Sequence, residues 1–199
     1  MMGVPLQCAA FLNRHRGMLQ EAHCANAKYL FQKDKLNTTL DTGDKSVQCG
    51  RKVDCLKLWM AWTSMGDEGY EAHVDNFMAV SRYLAQQCEA REGFELVAQP
   101  MCSNVCFWFI PPSLRKTTAP ARDTPEWKMT VHKSAALIKQ RMQEKGSCMI
   151  GFQSVPVYRN GALDAEPPNF WRMVVMAEKA SNSQMDFLLD EIELLGRDL

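Results

Sequence analysis

The change of hydrophobic period within residues 93–199 constrains the fold more than any other feature of this sequence. Two apolar runs of strand length come first, then a helical pattern, two further strands and a second helix: 94–98, 105–110, 127–145, 148–152, 170–176 and 183–195. Gly93 and Gly146 stand where helices end, as left-handed C-terminal residues do. The order β-β-α-β-β-α predicts a compact α+β module.

The segment 51–91 has a helical pattern that is broken near residues 66–69. Its second half carries an amphipathic stripe, which indicates one buried face: Tyr70, Val74, Phe77, Met78, Ser81, Leu84, Ala85 and Cys88. Upstream, the apolar run 4–12 predicts a buried strand, and the stretch 37–44 predicts a turn-rich loop. At the start of the last helix, Ser183-x-x-Asp186 resembles a capping box.

Composition excludes several classes of function. The 23 basic and 23 acidic residues give no net charge, which argues against a nucleic-acid-coating surface or a polybasic membrane anchor. No apolar run approaches the ~20 residues that span a bilayer, and the N-terminus does not resemble a signal peptide. The eight cysteines include no C-x-x-C pair, so no zinc site or redox dithiol is expected. We expect reduced thiols and a cytoplasmic protein.

Few residues suggest chemistry by themselves. The four histidines are scattered, which favours surface or hydrogen-bonded histidines over a metal site. The stretch 41–45 is interpreted as a plain turn, with a charged ligand loop as the alternative. Arg172 lies between Trp171 and Met173 in an apolar strand pattern, so its charge needs a partner. An internal ion pair and an anionic ligand are both open for this residue.

Seven ordered blocks resemble the group II pyridoxal-phosphate-dependent decarboxylases of acidic amino acids, a family that includes cysteine sulfinic acid decarboxylase and glutamate decarboxylase. The first block, residues 1–8, resembles the segment that follows the lysine that binds the cofactor. The other blocks extend over nearly the whole chain: 29–35, 41–51, 91–95, 104–108, 111–115 and 169–174. Three strings are nearer to cysteine sulfinic acid decarboxylase than to glutamate decarboxylase: 40–45, 53–59 and 187–196.

The resemblance implies an α/β fold, the fold type I architecture of pyridoxal-phosphate-dependent transferases. Residues 1–92 would form the end of the large cofactor-binding domain, with the catalytic loop and a long connecting helix. Residues 93–199 would form the small C-terminal α+β domain. The cofactor lysine would precede Met1, so we expect a C-terminal fragment that is inactive alone. The stretch 153–169 is several residues longer than the family's loop.

Candidate site residues also follow from the resemblance. Tyr29 matches the tyrosine of the family's mobile catalytic loop, where a phenol can protonate the substrate carbon after CO2 leaves. Arg172 matches the arginine that binds the substrate's acidic group through two parallel hydrogen bonds. A third segment resembles the region near the partner subunit's cofactor site and supplies candidates for cofactor or dimer contacts: Gln48, Cys49, Gly50 and Arg51.

The predicted function is decarboxylation of an acidic amino acid with pyridoxal 5'-phosphate as cofactor, by a homodimer. Conversion of cysteine sulfinate to hypotaurine, a step of taurine synthesis, is the first choice. Glutamate and aspartate are the alternative substrates. A hypothesis of a different class is a non-catalytic module for dimerisation or regulation. No nucleic acid, membrane or metal partner is predicted.

Overall fold

The computed structural model describes residues 4, 8–27, 34–47, 53–116, 124–159, 161–177 and 179–199. They form two compact units, an N-terminal unit up to Asp67 and a C-terminal unit from Glu68. The elements are, in order, α1 (Met18–His23), α2 (Asp54–Ala90), β1 (Phe94–Leu96), β2 (Asn104–Phe109), α3 (Pro125–Lys145), β3 (Gly151–Gln153), β4 (Val157–Arg159), β5 (Ala162–Asp164), β6 (Phe170–Val174) and α4 (Asn182–Gly196), with short 3-10 turns at Thr38–Leu40, Gly43–Lys45 and Pro112–Leu114. Among the described residues, no helix is long and apolar enough to cross a bilayer.

The N-terminal unit differs from the sequence prediction at its start. Residues 8–12 are irregular and residues 9–12 are exposed, so the predicted strand at 4–12 is wrong for the described part of that run. A strand needs a backbone partner, and the described residues of this unit include no strand that could pair with it. Residues 5–7 lie outside the described residues.

The stretch 41–45 is a turn held by its own carboxylates. Asp41 Oδ1 accepts a hydrogen bond from the Gly43 N–H at 3.1 Å. Asp44 accepts from Cys24 Sγ at 2.9 Å and from the Ala25 N–H at 3.2 Å. Because both carboxylates bond to the protein itself, this geometry favours the plain turn over a charged ligand loop.

The C-terminal unit is built on a four-stranded antiparallel sheet with the order β1-β2-β6-β3. The strands and helices predicted for residues 93–199 are all present, with shifts of a few residues at their ends. The stretch 153–169 is more than a connection, because β4 and β5 form a separate antiparallel hairpin within it. The proline and glycine residues of this stretch indicate a loop, which is why the sequence did not predict these two strands.

One face of the sheet packs against α2, α3 and α4 in a common hydrophobic core. The sheet contributes Val105, Phe107, Phe109 and Trp171, and the helices contribute Phe77, Leu84, Ile138, Met142, Leu189 and Ile192. The stripe predicted on the second half of α2 supplies part of this core, which confirms that this face is buried.

The chain divides into its compact units earlier than the predicted domain boundary at 92/93. Gly66 interrupts α2 with φ 70° and ψ 175°, and the C-terminal unit begins two residues later. Residues 68–90 belong with the C-terminal sheet because their apolar face packs in its core. The assignment of residues 1–92 to a large domain stays a prediction.

Helix α4 begins with a different cap from the one predicted. The Ser181 N–H donates to Gln184 Oε1 at 3.2 Å, which makes the capping box Ser181 with Gln184 rather than Ser183 with Asp186. Asp186 instead accepts from Tyr83 Oη at 2.7 Å and from Arg91 Nη2 at 3.0 Å. The carboxylate therefore joins α4 to α2, a tertiary role that the local motif does not reveal.

We expect Gly93→Ala to lower the free energy of unfolding by about 2 kcal/mol, because left-handed backbone costs a non-glycine residue ~1–2 kcal/mol. Gly93 has φ 86°. A β carbon there would also lie 2.5 Å from Nε of Arg115, whose guanidinium is held by Ile110 O and Glu193. Urea unfolding measures the change. Gly151→Ala is the control, since its β carbon meets no atom within 4 Å; equal losses in both variants would contradict the prediction.

Candidate functional site

Strand β6 places Arg172 on the face of the sheet opposite the helical core. Successive side chains of a strand point to opposite faces, so Trp171 and Met173 turn toward that core and Arg172 turns away. Trp171 is buried and Arg172 is exposed. A cation can therefore stand between two apolar residues of this strand, because the side chains of those residues lie on the other face of the sheet.

The strand register defines what lies beside Arg172. Cys106 of β2 is directly opposite on one side, and Gly151 of β3 is directly opposite on the other. Two residues along β6, Phe170 packs edge-to-face on Trp108, with ring centroids 6.2 Å apart, in a cluster with the first turns of α3. The face is therefore covered at its Phe170 end and open at its Arg172 end. We call this open end the Arg172 surface: Asn104, Cys106, Gly151, Arg172 and Val174.

The charge of Arg172 is not neutralised by the part of the chain that the structure describes. No hydrogen bond or ion pair joins its side chain to another described residue. Burial raises the pKa of the Cys106 thiol, against the lowering effects of the Arg172 charge and of a hydrogen bond to Asn104. A raised pKa keeps that thiol neutral at physiological pH. The Arg172 surface thus carries one positive charge, and the ion-pair alternative has no support among the described residues.

Such a surface is suited to a small anion. A guanidinium presents a planar fork of N–H donors that matches the two oxygens of a carboxylate or sulfinate. Strand β6 is hydrogen-bonded to β2 on one side and β3 on the other, so the backbone that carries Arg172 is held from both edges. The arrangement can therefore bind an acidic group in a defined orientation.

The other candidate residues cannot be placed. Tyr29, Gln48, Cys49, Gly50 and Arg51 lie outside the described residues, and their roles stay predictions. Within the described ranges, no group of three or more histidine, cysteine, aspartate or glutamate side chains is arranged to bind a metal ion.

The architecture is that of the pyridoxal-phosphate-dependent decarboxylases of fold type I, which confirms the predicted fold class. It matches the crystal structure of mouse CSAD with a TM-score of 0.73 and 43% identity, over 91% of this chain and 34% of that chain. Tryptophan decarboxylase of Catharanthus roseus shares the fold, with a TM-score of 0.61 at 20% identity, over 90% of this chain and 33% of that chain. The model of the pyridoxal-dependent decarboxylase conserved domain matches residues 1–110, and the chain belongs to this family.

Curated relatives agree with the predicted family. Cysteine sulfinic acid decarboxylase of Homo sapiens is 45% identical, over 100% of this chain and 38% of that protein. Acidic amino acid decarboxylase GADL1 of Bos taurus is 44% identical, over 100% of this chain and 36% of that protein. The chain thus spans 36–38% of the length of these relatives. Pyridoxal phosphate is the family's cofactor.

The cavity beside the start of α3 does not fit this cofactor. This cavity of about 530 Å³ is lined in part by Lys128, His132 and Glu166. Lys128 Nζ contacts both Asp164 oxygens, at 2.8 and 2.9 Å, so the amine that a pyridoxal aldehyde needs is committed to an ion pair. None of the cross-strand neighbours of Arg172 is a lysine. The Arg172 surface fits an acidic group, and the cavity does not fit the cofactor.

Sequence reasoning missed Cys106 and Gly151 as neighbours of Arg172. Successive side chains of a strand point to opposite faces, so the sequence could have placed Cys106 on the less apolar face of its predicted strand and Arg172 on the less apolar face of its own. No local pattern, however, states which residue of one strand lies opposite which residue of another. The pairing of β2, β6 and β3 brings the three residues together.

Proposed function

We propose that this chain is part of an enzyme that decarboxylates acidic amino acids with pyridoxal phosphate, and that it converts cysteine sulfinate to hypotaurine. The observation that carries the proposal is Arg172, an exposed arginine with no partner among the described residues, on an open sheet face. The 44–45% identity to cysteine sulfinic acid decarboxylases supports the choice of substrate. When bound, pyridoxal phosphate supplies the electron sink that makes loss of CO2 possible.

Arg172 binds and orients the substrate in this proposal. Its guanidinium donates two parallel N–H hydrogen bonds to the side-chain sulfinate or carboxylate, which fixes the orientation of the substrate. The neutral Cys106 beside it does not repel the incoming anion. Because β6 is paired on both sides, the backbone that carries the arginine is held in place before the substrate arrives.

The remaining predicted roles complete the proposal. Tyr29 would protonate the substrate carbon after CO2 leaves. The segment Gln48, Cys49, Gly50 and Arg51 would contact the cofactor or the second subunit of a homodimer. The proposal keeps the predicted assignment of residues 1–92 to the large domain and residues 93–199 to the small one, with residues 68–90 packed on the C-terminal sheet. The cysteines within the described ranges are free thiols, which supports a reducing compartment, the cytoplasm. We also propose that the 199-residue polypeptide alone releases no CO2.

A chimera tests the proposal. This chain replaces the matched segment of mouse cysteine sulfinic acid decarboxylase, and CO2 release is measured with cysteine sulfinate, aspartate and glutamate in the presence of pyridoxal phosphate. We expect cysteine sulfinate to be the best substrate. Arg172→Met should raise KM for all three acids by about tenfold or more, the value of a hydrogen-bonded charge pair. Arg82→Met, at another exposed arginine, is the control.

Each contrary outcome removes a different part of the proposal. Faster turnover of glutamate than of cysteine sulfinate would show that the substrate is wrong. An unchanged KM in Arg172→Met would refute the role of the arginine. A folded chimera that is inactive on all three acids would favour the non-catalytic module.

A further inference from the structure

Gly151 occupies a position where nothing in the described structure demands a glycine. It lies in β3, an edge strand of the sheet, directly opposite Arg172. Its φ is outside the left-handed region, and a β carbon built on it meets no atom within 4 Å. Gly151 is the first residue of β3, where a side chain could pack against its cross-strand neighbour. Neither backbone conformation nor packing therefore explains the missing side chain.

The missing side chain leaves open space beside Arg172. Two residues directly opposite each other on neighbouring strands have β carbons about 5 Å apart, so the long side chain of one can contact the side chain of the other. Any larger residue at position 151 would thus lie along the guanidinium of Arg172. On the other side Cys106 is half-buried and already fills the corresponding place. The Gly151 side is therefore the side on which the arginine is accessible.

We propose that Gly151 is a specificity-determining residue, which leaves room beside Arg172 for the acidic side-chain group of the substrate. The inference rests on the proposed function, because it takes Arg172 as the group that binds the acid. The charge of the Arg172 surface supports an acidic group as the occupant of this space, since the surface holds one cation and no carboxylate. A sulfinate has a pyramidal sulfur and long S–O bonds, so it needs more room than a planar carboxylate. Added bulk at position 151 therefore penalises cysteine sulfinate more than aspartate.

Titration of the 199-residue chain with cysteine sulfinate and with aspartate, followed by 15N NMR, tests the proposal. We expect Gly151→Val to raise the Kd for cysteine sulfinate about tenfold, with a smaller increase for aspartate. Thermal stability should be equal or higher, since valine favours strands. Gln153→Val is the matched control, on the same strand and the same face but opposite Phe170. Gly151→Ala should give an intermediate effect, again larger for the sulfinate.

The outcomes separate this inference from the proposed function. If Arg172→Met abolishes binding and Gly151→Val binds like the wild type, Gly151 has no role in specificity, although Arg172 keeps its role. If Arg172→Met binds both acids as tightly as the wild type, the assigned role of Arg172 is wrong, and so is the inference that rests on it. If the wild-type chain binds neither acid, this inference is wrong, whereas the proposed function is still decided by the chimera. A selective loss of sulfinate binding in a folded Gly151→Val variant, with Gln153→Val unchanged, supports the assignment.

Discussion

Replacement of Lys145 by methionine will lower the free energy of unfolding by about 3 kcal/mol at neutral pH, the cost of leaving a buried charge unpaired. Glu191 in α4 is only 4% exposed, and Lys145 Nζ contacts both of its carboxylate oxygens at 2.8 and 2.9 Å. Lys145 itself keeps 48% of its side chain accessible. Removal of the Lys145 ammonium leaves the Glu191 carboxylate buried without its cation. Removal of the carboxylate instead leaves a lysine side chain that can extend into the solvent. Glu191→Gln should therefore be the milder change.

The pH dependence gives this prediction an independent check. The hydrogen bond from Lys145 lowers the pKa of Glu191. A carboxylate with a lowered folded pKa contributes stability above its unfolded pKa, and that contribution is lost as the pH falls through the folded value. The wild type thus loses this contribution below about pH 4.3, the ordinary glutamate pKa. The difference between Lys145→Met and the wild type should shrink over the same range, because protonated Glu191 no longer needs the cation.

Urea unfolding of the wild type and the two single variants at neutral and acidic pH measures both effects. The double variant Lys145→Met with Glu191→Leu is the control, and it should recover most of the stability, since apolar replacement of a buried pair is often neutral. A Lys145→Met variant as stable as the wild type at neutral pH, or a difference that grows on acidification, would contradict the assignment.

Replacement of Gly196 by valine should destabilise the chain by about 3 kcal/mol, at the upper end for overpacking in a core. Gly196 is buried in the last turn of α4. A β carbon there would lie 2.8 Å from Cζ of Phe109 and 2.9 Å from Cδ1 of Ile138, so strand β2 and helix α3 must both yield. Alanine normally stabilises a helix by ~1 kcal/mol relative to glycine, and here even Gly196→Ala should have the opposite sign.

Thermal unfolding of Gly196→Val and Gly196→Ala measures this effect, with Gly151→Ala as the glycine control. Phe109→Leu combined with Gly196→Ala should be less destabilised than the sum of the two single changes, because the smaller side chain makes room for the added methyl. The prediction would be contradicted if the double variant lost as much stability as the sum of its single variants, or if Gly196→Ala were more stable than the wild type. Either result would show that the end of α4 shifts to make room for the methyl group.

Local patterns predicted the elements whose cause is local. The stripe on the second half of α2 and the end of α3 at Gly146, with φ 67°, depend on residues a few positions apart, and both agree with the structure. The capping residue of α4 was wrong because Asp186 bonds to Tyr83 and Arg91, which are distant along the chain. The predicted strand at 4–12 was wrong for the described part of that run, because an apolar run forms a strand only beside a partner.

The sequence by itself determined four of the strands and both helices of residues 93–199, the decarboxylase family, and Arg172 as the candidate residue for binding an acidic group. Only the tertiary structure decided that Arg172 lies on an open face between a half-buried thiol and an empty glycine position. The physical reason is that hydrophobic period specifies which face of a strand is buried, whereas register depends on backbone hydrogen bonds between strands far apart in the chain. The environment of the arginine is a product of that pairing.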